Sequence, residues 1–146
     1  MTNYGFSNVS VTVNGVTLSG YGEGDDPIQG RRREDAYTDQ VGADGKMLRI
    51  ASSNESGEFI IRLQQGAFSN TYLNAVFEAQ AVIGGSAVVA IGVVDTVTGD
   101  SAVGTQGYIT KPADMTRGAG ANDQEWVFVV ESYNALFPSL QTFLNL

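Results

Sequence analysis

Seven residues, Glu58-Phe59-Ile60-Ile61-Arg62-Leu63-Gln64, limit the possible folds more than any other stretch of the chain. Phe59, Ile61 and Leu63 fall on one face, and Glu58, Arg62 and Gln64 fall on the other with Ile60. A period of two with charge opposite the apolar face marks a half-buried strand. The segment lies inside Val41 to Gln80, the stretch around which the rest is organised. A Gly42-Ala43-Asp44-Gly45 turn opens it, the apolar run Met47 to Ala51 follows, and a second turn at Ser56-Gly57 leads into the alternating strand. These two extended runs are near enough in sequence to pair antiparallel, with a helix covering one face of the pair. Ser69 or Asn70 can cap that helix, which runs to about Ala81; Leu73, Val76, Phe77 and Gln80 follow the three-and-four spacing of one face.

On either side the pattern is again β. Val9, Val11 and Val13 alternate with Ser10 and Thr12, Asn14-Gly15 turns, and Val16 to Leu18 returns, within a hairpin that spans Tyr4 to Tyr21. Asn-Gly between β-branched runs is a strong two-residue hairpin signal, because both positions accept positive φ. Ala87 to Thr96 and Ser101 to Thr110 flank Val97-Thr98-Gly99-Asp100 as a second hairpin, which Lys111-Pro112 ends. Asp114 to Gln124 is a glycine-rich loop, and Glu125 to Glu131 is a strand with aromatics at Trp126 and Phe128. The tail from Asn134 to Leu146 carries Leu136, Phe137, Leu140, Phe143 and Leu144, which call for cover from the domain or from another subunit. The sum is six or seven strands and one helix in a single domain, residues 1–146.

Gly20 to Asp44 has little apolar periodicity and reads as a long loop, with a short extended piece from Ala36 to Val41. Loops of this length in compact domains are functional or disordered. Arg31-Arg32-Arg33 stands directly before Glu34-Asp35. Two readings fit: a solvated loop tip, or an arm that contacts an oppositely charged neighbouring subunit.

Composition narrows the chemistry. The chain has no cysteine, which removes disulfides, thiolate metal sites and thiol nucleophiles. It has no histidine either, so the commonest general base and metal ligand are missing. Gly22-Glu23-Gly24 precedes no helix and sits beside Asp25 and Asp26, which would repel a phosphate. The adjacent carboxylates Asp25-Asp26 and Glu34-Asp35 lie in a polar loop and stay solvated, a poor setting for acid–base catalysis. No segment has calcium-loop spacing. The reading is of a non-enzyme without metal or cofactor. A formal charge of −8 and a pI near 4.2 argue against DNA binding by phosphate neutralisation. No secretory signal and no apolar run of membrane-spanning length is expected from the sequence.

Two stretches carry a recognisable pattern: GADG with SSNESGEFIIRLQQGAFSNTYLNAVFEAQ, ending at Gln80, and the set VVDTVTGD, GYITKPADM and EWVFVV, from Val93 to Val130. Together they resemble the tail tube proteins of contractile-tailed bacteriophages, in particular a short tube-protein family long catalogued as a phage domain of unknown function. The resemblance implies a mainly β fold, a small β-barrel or sandwich with one flanking α-helix. It also implies a structural role: hexameric rings stacked into a hollow tube inside a contractile sheath, with tape-measure protein and later DNA in the lumen. Sheath, tape-measure, baseplate and tail-terminator proteins are the partners it implies, in a virion tail assembled in the host cytoplasm. Six copies at −8 each carry a formal −48 per ring, which would repel a passing polyanion. Within this picture Arg31, Arg32, Arg33, Glu34 and Asp35 are candidate inter-subunit contacts and Glu58 a candidate lumen-facing acid. The alternatives are a ligand-binding or surface β-sandwich, a hydrolase relying on Asp and Glu alone, and the tube of a related contractile injection system.

Overall fold

The computed structural model describes residues 8–22, 26–83 and 89–137. In chain order these form β1 (Val9–Val13), β2 (Val16–Thr17), β3 (Ile28–Arg32), β4 (Tyr37–Val41), β5 (Met47–Ala51), β6 (Gly57–Leu63), α1 (Phe68–Ile83), β7 (Val89–Asp95), β8 (Ser101–Lys111) and β9 (Gln124–Leu136). Seven strands make one sheet in the order β2-β1-β7-β8-β9-β6-β3, and β4 and β5 make a separate two-stranded ribbon. All pairings are antiparallel.

The alternation in β6 is realised as read: Gly57, Phe59, Ile61 and Leu63 are buried and the residues between them half-buried. The Asn14-Gly15 turn is also as expected, with φ of 50° and 84° and Val13 opposite Val16. The sheet curls on itself. Tyr21, just beyond β2, forms an antiparallel bridge with Leu63 of β6, and Val9 of β1 and Ile28 of β3 line the same groove although they lie near opposite edges of the sheet. Inside the curl Val11, Val13, Phe59, Ile61, Leu63, Ile91, Ile109, Trp126, Phe128 and Val130 form one core, closed by Leu73 of α1. Each such side chain contributes about 1.5–3 kcal/mol by leaving water.

Several expectations are corrected. Met47–Ala51 does not pair with β6; it pairs with Tyr37–Val41, and β6 lies between β3 and β9. Ser52 to Ser56 is not a tight turn, and Gly57 belongs to the strand: the Tyr133 side chain occupies the space a Cβ would need there. Gly20 to Asp44 is not one loop, since it also contains β3, while the extended piece expected from Ala36 to Val41 is present as β4. Nine strands are present among the described residues, against six or seven expected. The helix starts one residue before Ser69 and reaches Ile83, and neither expected cap side chain serves as one. Ser69 Oγ accepts from the Ser19 amide at 2.9 Å. Asn70 Nδ2 donates to Gln64 O at 2.8 Å, and its Oδ1 accepts from Trp126 Nε1 at 3.0 Å. Both residues tie the start of α1 to the barrel. β9 continues past Glu131 to Leu136.

Close approach of β8 and β9 depends on two glycines. Gln106 has φ of 54°, and there β8 turns over so that Gly104 and Gly107 both face Val130. A methyl group on either would come within 2.6 Å of a Val130 methyl. Residues Tyr4, Glu23, Gly24, Asp25, Ala87, Leu140, Phe143 and Leu144, on which parts of the sequence reading fall, lie outside the described residues.

Candidate assembly surfaces

The charged run is distributed over a strand end and the start of the ribbon. Arg31 lies opposite Glu58 in the β3–β6 register, and its Nη2 donates to Glu58 Oε1 at 2.8 Å. The candidate inter-subunit cation and the candidate lumen acid are therefore partners within one chain. Arg31 is two-thirds exposed, so the pair contributes at most about 1 kcal/mol. Arg32 points to the core side of β3, where its Nη2 donates to Asn54 O at 2.8 Å and its Nε is buried without a partner. Arg33 donates its amide to Ser56 O at 3.0 Å. With Glu34 and Asp35 these two arginines wall a cleft whose other side is Thr38 and Ile50 of the ribbon. The arginines thus first serve their own chain, fixing the roots of the β4–β5 ribbon.

On the same sheet face Arg62 Nε donates to Glu125 Oε2 at 3.1 Å, so this face carries paired charges of both signs. Two tyrosines are displaced from ordinary titration. Burial pushes the Tyr21 hydroxyl up, opposed by the hydrogen bond it accepts from the Val11 amide. Burial alone raises Tyr133, whose ring centroid is 5.4 Å from that of Phe59.

The ribbon is the surface that sequence reasoning missed as a unit. All ten of its strand residues are exposed, among them Tyr37, Val41, Met47, Leu48 and Ile50. Arg49 lies over the Tyr37 ring at 5.0 Å, a contact of roughly 0.5–1 kcal/mol at an exposed site. An isolated two-stranded hairpin is marginal in water, and a ribbon with apolar groups on both faces is an unmet contact. Its signal in the sequence is the Gly42–Gly45 turn between Val41 and Met47, which joins two strands to each other instead of opening the way to β6.

Among the described residues no helix is long and apolar enough to cross a membrane, and no three Asp or Glu side chains gather as a metal-binding group.

A curled antiparallel sheet closed by one helix, with a projecting ribbon and edge strands at both ends of the sheet order, defines a mainly β fold of the tail-tube type. The chain belongs to the bacteriophage PhiTE tail tube protein family, whose model matches residues 1–137. Similar solved structures come from contractile injection machines. The cap that terminates the tube of the anti-feeding prophage has a TM-score of 0.59 at 11% identity, over 94% of this chain and 93% of that one. A chain of the sheath–tube complex of the PVC extracellular contractile injection system, extended state, gives 0.56 at 10% identity, over 89% and 88%. A chain of its sheath/tube terminator gives 0.56 at 8% identity, over 93% and 98%. At these identities the likeness is one of fold. No curated protein matches the chain.

Proposed function

We propose that this chain is the repeating subunit of a contractile-tail tube and acts by geometry rather than by catalysis. Residues 1–146 work as one tube domain. Six copies close a ring, rings stack, and the bore admits tape-measure protein and then DNA, while a sheath surrounds the outside and baseplate and terminator proteins close the ends. Assembly takes place in the host cytoplasm and the product is part of the virion tail. The observation that carries this reading is the β4–β5 ribbon, which exposes apolar residues on both faces and has no cover from the described residues; membership of a tail tube family supports a neighbouring subunit as what covers it. The formal −8 per chain suits a conduit for a polyanion, because a bore of like sign does not hold its cargo. On this reading Glu58 faces the bore with its charge balanced by Arg31, and the net negative lining comes from acids without such partners.

Electron microscopy and sedimentation of the purified protein test the proposal. Rings or hollow tubes are expected at high protein concentration, and a strictly monomeric species at every concentration would refute it. Tubes of the injection-system kind are the second reading, favoured by the likeness of fold to chains of the PVC injection system and the anti-feeding prophage. The presence or absence of DNA-filled particles in the producing cells separates the two.

A further inference from the structure

The helix α1 closes one end of the curled sheet. Tyr72 Oη donates to Val13 O at 2.9 Å, and Gln80 bonds both backbone groups of Ile109. The opposite end has no helix over it among the described residues, and a groove of about 200 Å³ opens there. Ile28, Phe59, Val93, Ala102 and Tyr133 wall it. The rings of Phe59 and Tyr133 are tilted 57° to each other with centroids 5.4 Å apart. Asp95 and Asp100 complete the lining, and no Lys or Arg is among the described residues that form it. The β7–β8 turn fixes the two acids relative to each other: Asp95 N donates to Asp100 O at 2.9 Å, and Gly99 N donates to Asp95 O at 2.8 Å. Asp95 Oδ1 accepts from Val97 N at 3.0 Å. Asp100 Oδ1 is buried with no donor among the described residues, a costly state until something supplies one.

We propose that this groove is a binding site for a small aromatic amine, whose ammonium donates to Asp100 and Asp95 while its ring lies against Phe59 and Tyr133. Two carboxylates with no cation beside them select positive charge, and the ammonium brings the donor that Asp100 Oδ1 lacks. A metal ion is a poor fit, since calcium takes about six to eight oxygen ligands and the walls here are mostly carbon. A chain of several ammonium groups would bury charge against those walls, so the occupant has one cationic end and an apolar body. An aromatic body suits the two tilted rings, because aromatic groups pack favourably edge to face at such spacings. Drug-sized ligands need about 300–1,000 Å³ and a water about 30 Å³, so the occupant has about ten non-hydrogen atoms or fewer. The site belongs to a single chain. It is read on the unassembled subunit and stands apart from the tube reading.

Phenylethylamine is the probe, titrated into the purified full chain and followed by ligand-observed NMR. At the efficiency usual for a ligand of about nine non-hydrogen atoms, Kd should be about 1 mM or below. Phenylethanol and phenylpropanoate keep the ring but carry a neutral or an anionic end, and both should bind at least about tenfold more weakly. Asp100→Asn should weaken the amine by about tenfold or more and leave the alcohol unchanged, a split that loss of folding would not produce. Ala102→Leu puts a larger side chain into the slot and should abolish binding of both, with its urea midpoint showing that the variant is folded. Absence of amine binding at about 10 mM, well above the expected Kd, would overturn the proposal. Equal affinity for amine and alcohol, or undiminished amine binding by Asp100→Asn, would do the same. Binding at least about tenfold tighter by a capped tripeptide with lysine between two valines would also overturn it, by giving the groove to a protein segment.

Discussion

Gln80 of α1 takes the place of a missing strand, and removing it should loosen the helix from the barrel. β7 begins at Val89, opposite Gly107 of β8. Two residues further along β8, Ile109 has no strand partner on that side among the described residues. Gln80 supplies both bonds: Ile109 N donates to Gln80 Oε1 at 2.7 Å, and Gln80 Nε2 donates to Ile109 O at 3.0 Å. In Gln80→Ala both backbone groups lose their partners in a half-buried setting. At about 1–1.5 kcal/mol per bond the loss should total about 2–3 kcal/mol. For a chain of this size that lowers the melting temperature by about 5–10 °C. Gln80→Glu keeps the acceptor and puts an oxygen against Ile109 O, so at neutral pH it should be destabilised to a similar degree. Below about pH 4.3, the ordinary glutamate value, its carboxyl becomes a donor and the gap to wild type should narrow. Urea unfolding of the unassembled subunit measures this through the single tryptophan, because Trp126 is bonded to Asn70 of the same helix. A Gln80→Ala midpoint within about 0.5 kcal/mol of wild type would refute the reasoning, since backbone groups at that site would then be satisfied by water at no cost.

Gly104→Ala should destabilise the subunit by about 1–3 kcal/mol, the usual cost of overpacking, because the added methyl meets Val130 and Phe59; thermal unfolding reads it. Tyr21→Phe removes the hydroxyl that accepts from Val11 N and donates to Leu18 O and should cost about 1–3 kcal/mol. Tyr21 and Tyr133 are raised above 10.0 in the folded chain, so the folded state holds these protons longer than the unfolded state does. Their contribution is complete below pH 10 and is lost as pH rises through the folded values; a stability–pH curve without an alkaline decline would contradict this. Replacing Arg31, Arg32 and Arg33 by serine should shorten or abolish tubes in micrographs. It should also lower subunit stability by about 1–2 kcal/mol, since the Arg31–Glu58 and Arg32–Asn54 bonds go with it.

What could be read in the sequence follows the physics of each element. β6 was legible because one of its faces is core and the other wet, and β1–β2 because Asn14-Gly15 permits a single turn geometry. β3 was not, since Ile28-Gln29-Gly30-Arg31-Arg32 lies at a sheet edge, where one side of the strand needs no partner and apolar alternation is absent. Proximity in sequence suggests that Met47–Ala51 pairs with β6, yet the partners of β6 are β3 and β9, the latter 61 to 73 residues away (Leu63 to Gln124, Gly57 to Val130). Such long-range pairing leaves no local trace. β9 runs on past Glu131 without a sequence signal because Val130 and Tyr133 both turn inward, a break in alternation that mirrors the turn-over of β8 at Gln106. As for the surfaces, the arginine run was visible as charge, but its internal partners Glu58 and Asn54 were not. The apolar ribbon was hidden because exposed and buried Val, Leu and Ile look alike in a sequence.

The unequal edges of the large sheet bear on how subunits behave before they are used. β2 offers two residues to an incoming strand and β3 offers five, the latter ending in arginines. A short rim and a cationic rim both discourage promiscuous zippering between backbones, so a stockpile of unincorporated chains would stay dissolved instead of gelling. On the tube reading, polymer growth would then wait for a seed that presents the right docking partner, and the decision of where a filament begins would pass from the monomer to that seed.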